Sequence, residues 1–317
     1  MSLYTKRLCA LLLALALLFA MPACRTAEQT SPLADAAAYL MRTVQAPQYG
    51  SVGGEWAVLG LARGGYGNSD YFETYYANLS AFVREQNGVL HARKYTEYAR
   101  VVLALTAIGK DPRDVGGYDL LSPLGDCDRV TAQGLNGAVF ALLALDAGGY
   151  AVPDAPAGGK QATREAYLAE ILSYAAASGG FSLDAENGTA DADITAMALC
   201  ALAPYADEKT VFAAISDAFR WLSAAQGDDG GYGSAESCAQ VLIALSAYGI
   251  AADDARFVKN GRSALDALLS YAVPGGYRHM QDDADANAMA SEQALLALVA
   301  VERQKNGQSG LYAMAAE

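Results

Sequence analysis

A short apolar unit recurs six times along this chain: two apolar residues (a cysteine once among them), then Ala or Gly, then Leu. It stands at Val58-Leu59-Gly60-Leu61, Val102-Leu103-Ala104-Leu105, Leu142-Leu143-Ala144-Leu145, Leu199-Cys200-Ala201-Leu202, Leu242-Ile243-Ala244-Leu245 and Leu295-Leu296-Ala297-Leu298. Successive leucines lie 44, 40, 57, 43 and 53 residues apart, the length of one helical hairpin with its loops. Six all-apolar segments alternating with half-apolar ones hide every apolar face only by closing into a ring. The expected fold class is therefore all-α, an α6/α6 toroid of six outer and six inner helices.

The outer helices show as segments with one apolar stripe at helical spacing: Leu33 to Val44, Phe72 to Phe82, Tyr167 to Leu172, Val211 to Leu222 and Phe257 to Leu269. The third, around Tyr118 to Leu124, is short. Glycines at Gly64-Gly65, Gly109, Gly148-Gly149 and Gly249 follow several inner units and suit helix C-termini with a sharp reversal. Strand signals are nearly absent. The small residue of each unit (Gly60, Ala104, Ala144, Ala201, Ala244, Ala297) lets neighbouring inner helices approach closely.

Residues 1–23 read as a secretion signal: Lys6 and Arg7, an apolar run from Leu8 to Ala20, then Met21-Pro22-Ala23-Cys24. The run is too short to span a bilayer. Ala23-Cys24 is similar to a bacterial lipoprotein processing site, although Met21 and Pro22 depart from its usual Leu-x-small-Cys pattern. Lipid on Cys24 would hold the protein to the outer face of a membrane, simple secretion being the alternative. The expected organisation is signal 1–23, a tether 24–32, one toroid domain 33–303 and a tail 304–317. The net charge of −13 makes nucleic acid an unsuitable partner. Beyond Cys9 and Cys24 there remain Cys127, Cys200 and Cys238, without metal-like spacing. The repeat register places Cys200 and Cys238 about five residues apart in depth, roughly 7 Å of helix rise, which disfavours a disulfide between them.

Gln226-Gly227-Asp228-Asp229-Gly230-Gly231-Tyr232-Gly233, ahead of an inner unit, is similar to the Gln-and-Gly-aromatic repeats of the squalene (terpene) cyclase and protein prenyltransferase superfamily. Gly179-Gly180-Phe181 and Gly275-Gly276-Tyr277 look like the same repeat. Asp193-Ile194-Thr195-Ala196-Met197-Ala198 also resembles a helix start of the vitamin B12 carriers, which share the toroid. The resemblance covers most of residues 33 to 303.

Counting back nine residues from each repeat leucine gives Val52, Thr96, Asn136, Asp193, Glu236 and Met289; one turn deeper come Trp56, Arg100, Phe140, Met197, Gln240 and Gln293. Residues four apart share a helix face, so both layers point the same way. Polar residues converging on the mouth of a ring form a candidate ligand site made of Trp56, Arg100, Asn136, Asp193, Glu236, Gln240 and Gln293. Helix capping accounts for the upper layer equally well, but not for Arg100, Gln240 and Gln293.

Three enzymatic alternatives attach to the same residues. Ala190-Asp191-Ala192-Asp193-Ile194-Thr195-Ala196 is similar to the acid motif of class II terpene cyclases, which would make Asp193 the proton donor; Ile194 replaces the third acid. The prenyltransferase resemblance implies Glu236, Cys238 and His279 as zinc ligands, yet His279 lies well before the last inner helix. A carbohydrate-active toroid would use Asp193 and Glu236 as an acid/base pair. The favoured reading is non-enzymatic: an exported lipoprotein whose rim binds a small hydrophobic or corrinoid-like ligand. The B12 carriers cover their ligand with a second domain that has no counterpart here, so a partner chain over the rim is the expected substitute. No cofactor follows from the sequence.

Overall fold

The repeat units carry Ala and Leu at nearly every position, the composition of helices buried on several sides. In the computed structural model, which describes residues 31–186 and 188–315, each unit lies inside an α-helix. Numbered in chain order, the helices are α1 Pro32–Thr43, α2 Trp56–Arg63, α3 Ser69–Glu85, α4 Thr96–Ala107, α5 Cys127–Thr131, α6 Leu135–Ala147, α7 Arg164–Ser173, α8 Ala192–Leu202, α9 Lys209–Ala225, α10 Ala235–Ala247, α11 Ala264–Ser270 and α12 Ala288–Lys305. Even-numbered helices hold the six repeat units; α1, α3, α7 and α9 hold amphipathic stripes, α11 the end of one, and α5 none. Residues from Pro32 onward cluster as one unit. The signal segment and Cys24 lie outside the described residues, and among those described no helix is long and apolar enough to cross a membrane.

The even-numbered helices touch in a cycle: α2 packs on α4, α4 on α6, α6 on α8, α8 on α10, α10 on α12, and α12 back on α2. At that last contact the small residue of the repeat is Gly60, where a Cβ would fall 2.8 Å from Leu295 Cδ2. Even alanine would force Leu295 to move. Helices α7, α9 and α11 each pack on the even-numbered helix before them, and α1 packs on α12.

Glycine ends several repeat helices as expected: Gly65, Gly109, Gly149 and Gly249 all have positive φ, between 63° and 72°. Two expectations need correction. The stretch from Phe257 to Leu269 is not one helix. Its first half is a 3-10 turn and a hairpin of β1 (Val258–Lys259) with β2 (Arg262–Ser263), because Asn260 and Gly261 take positive φ and reverse the chain. A second hairpin pairs β3 (Ala272–Val273) with β4 (Gly276–Tyr277). The third outer element is a 3-10 turn at Ser122–Gly125 followed by the five residues of α5.

Loops ahead of α8, α10 and α12 share one anchor. The backbone N–H of Phe181 donates to Thr195 Oγ1 and that of Tyr277 to Ser291 Oγ, each at 2.9 Å. Tyr232 makes the equivalent bond to the thiol of Cys238. Thr195, Cys238 and Ser291 all lie seven residues before the repeat leucine and are fully buried. The Gly-aromatic repeat is thereby a device that ties each loop to the helix it precedes. Gln226 extends it, donating to the carbonyls of Gly230 and Phe257 at 2.8 Å.

After α12 the chain turns at Gly307 and runs as a strap across the C-terminal ends of the cycle. Buried Arg63 donates to the carbonyls of Gly310, Leu311 and Ala313, and buried Arg303 to those of Ser309 and Arg63. On the far side Met314 N–H reaches Ala147 O on α6 at 3.0 Å.

Candidate functional site

The lower of the two predicted layers assembles as one site. Trp56, Phe140, Met197, Gln240 and Gln293, from α2, α6, α8, α10 and α12, line a single cavity with Leu143, Cys200 and Tyr312. Five equivalent positions meet only if those helices run in the same direction and in register. Trp56 and Phe140 have ring centroids 5.9 Å apart, and Gln240 Nε2 donates to Gln293 Oε1 at 2.6 Å. Only about 20 Å³ is left between them, room for about one water. This layer is a closed floor.

The sixth lower position, Arg100, does not join it. Its Nε donates to Glu55 Oε2 at 2.9 Å and its Nη2 to Glu97 Oε2. Glu55 is fully buried and also accepts from Gly50 N–H and from the Tyr75 hydroxyl at 3.0 Å. Burial pushes the Glu55 carboxyl above its usual range while Arg100 pulls it back; burial likewise works against the Arg100 charge, but Glu55 and Glu97 hold its pKa above the ordinary value. Arg100 is thus committed to a buried ion pair that the sequence pattern does not contain. The first upper position, Val52, is also displaced: the backbone at Gly50 and from Val52 to Gly54 is non-helical and α2 begins only at Trp56, leaving Val52 exposed.

In the upper layer the cap hydrogen bonds fall to neighbouring residues. Asp191, not Asp193, caps α8, accepting from the N–H groups of Asp193 and Ile194. Ser234, not Glu236, caps α10, and Gly134 precedes α6 without any side-chain cap. Thr96 is held by Gln133, whose Oε1 accepts from its N–H at 2.9 Å. None of Asn136, Asp193 and Glu236 makes the cap hydrogen bond, although Asp193 and Glu236 sit in first turns, where the helix dipole favours a carboxylate.

Two of the three each keep one oxygen without a donor. Asn136 Oδ1 and Asp193 Oδ1 are buried acceptors with no hydrogen-bond partner among the described residues. Such an atom costs about 1–3 kcal/mol unless something donates to it. Burial raises the pKa of Asp193; a hydrogen bond from the Ser237 hydroxyl to its carboxyl opposes the shift, and the charges of Asp191 and Glu236 add to it. Glu236 Oε2 lies 2.7 Å from His279 Nδ1, and this hydrogen bond raises the imidazole pKa. Asp193 on α8, Glu236 on α10 and His279 from the last inter-helix loop thus form one electrostatic cluster at the α8 and α10 N-termini.

The residues named as a zinc set do not converge. Glu236 and His279 meet, but Cys238 is fully buried, holds the Tyr232 amide, and has its thiol pushed up to about 12 by burial. Among the described residues no three His, Cys, Asp or Glu side chains stand close enough to hold a metal ion. Cys127, Cys200 and Cys238 are buried free thiols.

One further acidic group escapes the sequence pattern. Glu292 on α12 is 1% exposed, accepts from Gly53 N–H at 2.6 Å through Oε1, and leaves Oε2 without a partner among the described residues. Burial lifts its pKa to about 7. It lies one residue before the predicted Gln293, on a different helix face, so counting in steps of four passes over it.

No protein-family model matches this chain, and no curated protein matches it either.

Proposed function

We propose that the cycle of even-numbered helices is the inner ring of an α6/α6 toroid, and that its N-terminal mouth binds a flat, amide-rich ligand of the corrinoid kind without chemical conversion. Two observations support the ring: the packing of α12 on α2, and α1 filling the outer place beside α12. The binding reading is carried by the pair of buried, partnerless acceptors, Asn136 Oδ1 and Asp193 Oδ1, on adjacent helices of the mouth. A corrinoid presents a rigid plane edged with carboxamide N–H donors, which those acceptors, Glu236, Gln240 and Gln293 suit. A floor with only about 20 Å³ left between its side chains requires the ligand to lie across the mouth. Enclosed ligands of isoprenoid size occupy pockets of about 300–1,000 Å³, so this arrangement favours neither a cyclase nor a prenyltransferase. Secretion, the lipid anchor on Cys24 and a partner chain over the exposed face belong to the same proposal.

The acid/base alternative keeps one specific support, the raised pKa of Asp193 beside Glu236. Titration with hydroxocobalamin, followed by its visible absorbance, distinguishes the readings. Saturable binding is expected, weakened about tenfold by Asp193→Ala and by Asn136→Leu, since one charge-assisted or amide hydrogen bond is worth about 1–2 kcal/mol. Absence of binding at millimolar ligand, or glycoside hydrolysis lost in Asp193→Asn, would overturn the binder.

A further inference from the structure

The strap covers one side of a second, partly open cavity at the opposite end of the cycle. Its volume is about 120 Å³, and Leu143, Cys200, Ala201, Ile243, Leu311 and Tyr312 form much of its wall. Leu143, Cys200 and Tyr312 also line the closed floor of the mouth, so the Tyr312 ring is part of the partition between two spaces along one axis.

Chemistry of the wall selects the occupant. Asp146 is the acidic residue at the cavity edge, and both its oxygens are engaged: Oδ1 accepts from Arg164 Nε and Oδ2 from the Tyr205 hydroxyl, each at 2.8 Å. The Cys200 thiol is pushed up to about 12 by burial, so it stays a neutral, apolar surface. Nothing there calls for a charge or a strong donor. A mainly apolar space of this size suits a small hydrocarbon, as an engineered cavity of about 150 Å³ takes benzene.

The covering segment is fastened unequally. Arg63 and Arg303 clamp residues 309–313 on the α2 and α12 side. On the α6 side the Met314 N–H to Ala147 O bond holds it. The weaker end lies over the cavity wall formed by α6, which gives a route in by lifting the strap there.

We propose that the space between the strap and the C-terminal ends of α6, α8 and α10 is a second binding site, taking a compact neutral apolar molecule about the size of toluene or indole. It is separate from the mouth and does not depend on the mouth's ligand.

Toluene is the first probe, read by thermal unfolding of the full chain. At 100 times its dissociation constant the unfolding midpoint should rise by about 5 °C. Ala247→Phe, which places a ring in the cavity from its wall, should abolish that rise, whereas Asn136→Leu at the opposite face should keep it. Because Ala247→Phe can disturb folding, calorimetric titration of toluene into the unaltered chain gives an independent reading. One molecule should bind per chain. No midpoint shift with benzene, toluene or indole, or a shift without saturable one-to-one binding, would overturn the site.

Discussion

Replacing Glu292 by Gln should make the protein more stable at pH 8 and leave it nearly unchanged at pH 4. Glu292 is 1% exposed with one oxygen unpartnered, and burial holds its pKa near 7, from an ordinary 4.5. The groups acting on it are Gly53 N–H, which lowers the pKa, and the Glu55 carboxylate, which raises it; the Tyr71 hydroxyl is also in its field. Below pH 4.5 both folded and unfolded chains carry the proton, so the acid and the amide are equivalent there. Between 4.5 and about 7 the unfolded chain releases its proton while the folded chain retains it, so stability falls as pH rises and levels off above 7. At about 1.4 kcal/mol per pH unit this interval amounts to about 3 kcal/mol. The carboxamide introduced by Glu292→Gln would keep an oxygen for Gly53 N–H and carry no charge, so the variant escapes the loss. Urea unfolding followed by circular dichroism at five pH values from 4 to 8 reads the effect, and the midpoint of thermal unfolding should rise by about 6 °C at pH 8. Parallel stability curves for the two proteins across that range would refute the reasoning.

Arg100→Met removes the partner of fully buried Glu55 and should cost about 3–5 kcal/mol, read as a lower urea midpoint; a loss below 1 kcal/mol would show that the pair is not buried as described. Glu236→Gln should lower the His279 pKa toward 6.5, measured by imidazole proton NMR. A raised histidine pKa stabilises fully below 6.5 and loses that contribution as pH climbs through the raised value, so the variant's stability should vary less with pH above 6.5. Gly137→Ala on α6 would set a Cβ 1.9 Å from Val130 O. It should destabilise by about 1–3 kcal/mol although alanine is the better helix former, and a more stable variant would contradict the packing of α5 against α6.

The six repeat helices can be read from the sequence because one unit, with one spacing rule, specifies each of them. The same register locates the cavity floor: Trp56, Phe140, Met197, Gln240 and Gln293 are singled out by counting and do share a cavity. What escapes is set by segments without periodicity. Glu55 sits at the end of a glycine-rich turn, Gly50 to Glu55, so nothing marks it as the partner that takes Arg100 out of the ligand layer. Asp191 and Asp193 are two residues apart, and only the backbone dihedrals at the start of α8 decide which one caps. The strap reads as a tail because its attachment runs through backbone carbonyls to Arg63 and Arg303, and carbonyls have no sequence signature. Cys238 is the instructive case. Aligned with Thr195 and Ser291 it falls in a row of loop anchors, a role visible once the Gly-aromatic loops are registered against the helices that follow them.

Hydrogen–deuterium exchange with and without hydroxocobalamin tests the mouth most directly. If a flat ligand lies across the N-terminal ends of the inner helices, amides of residues 191–197, 235–240 and 289–293 should exchange more slowly when it is bound, while those of the strap, 308–315, keep their rates. Unchanged exchange at the three helix starts, or protection confined to the strap, would contradict the account.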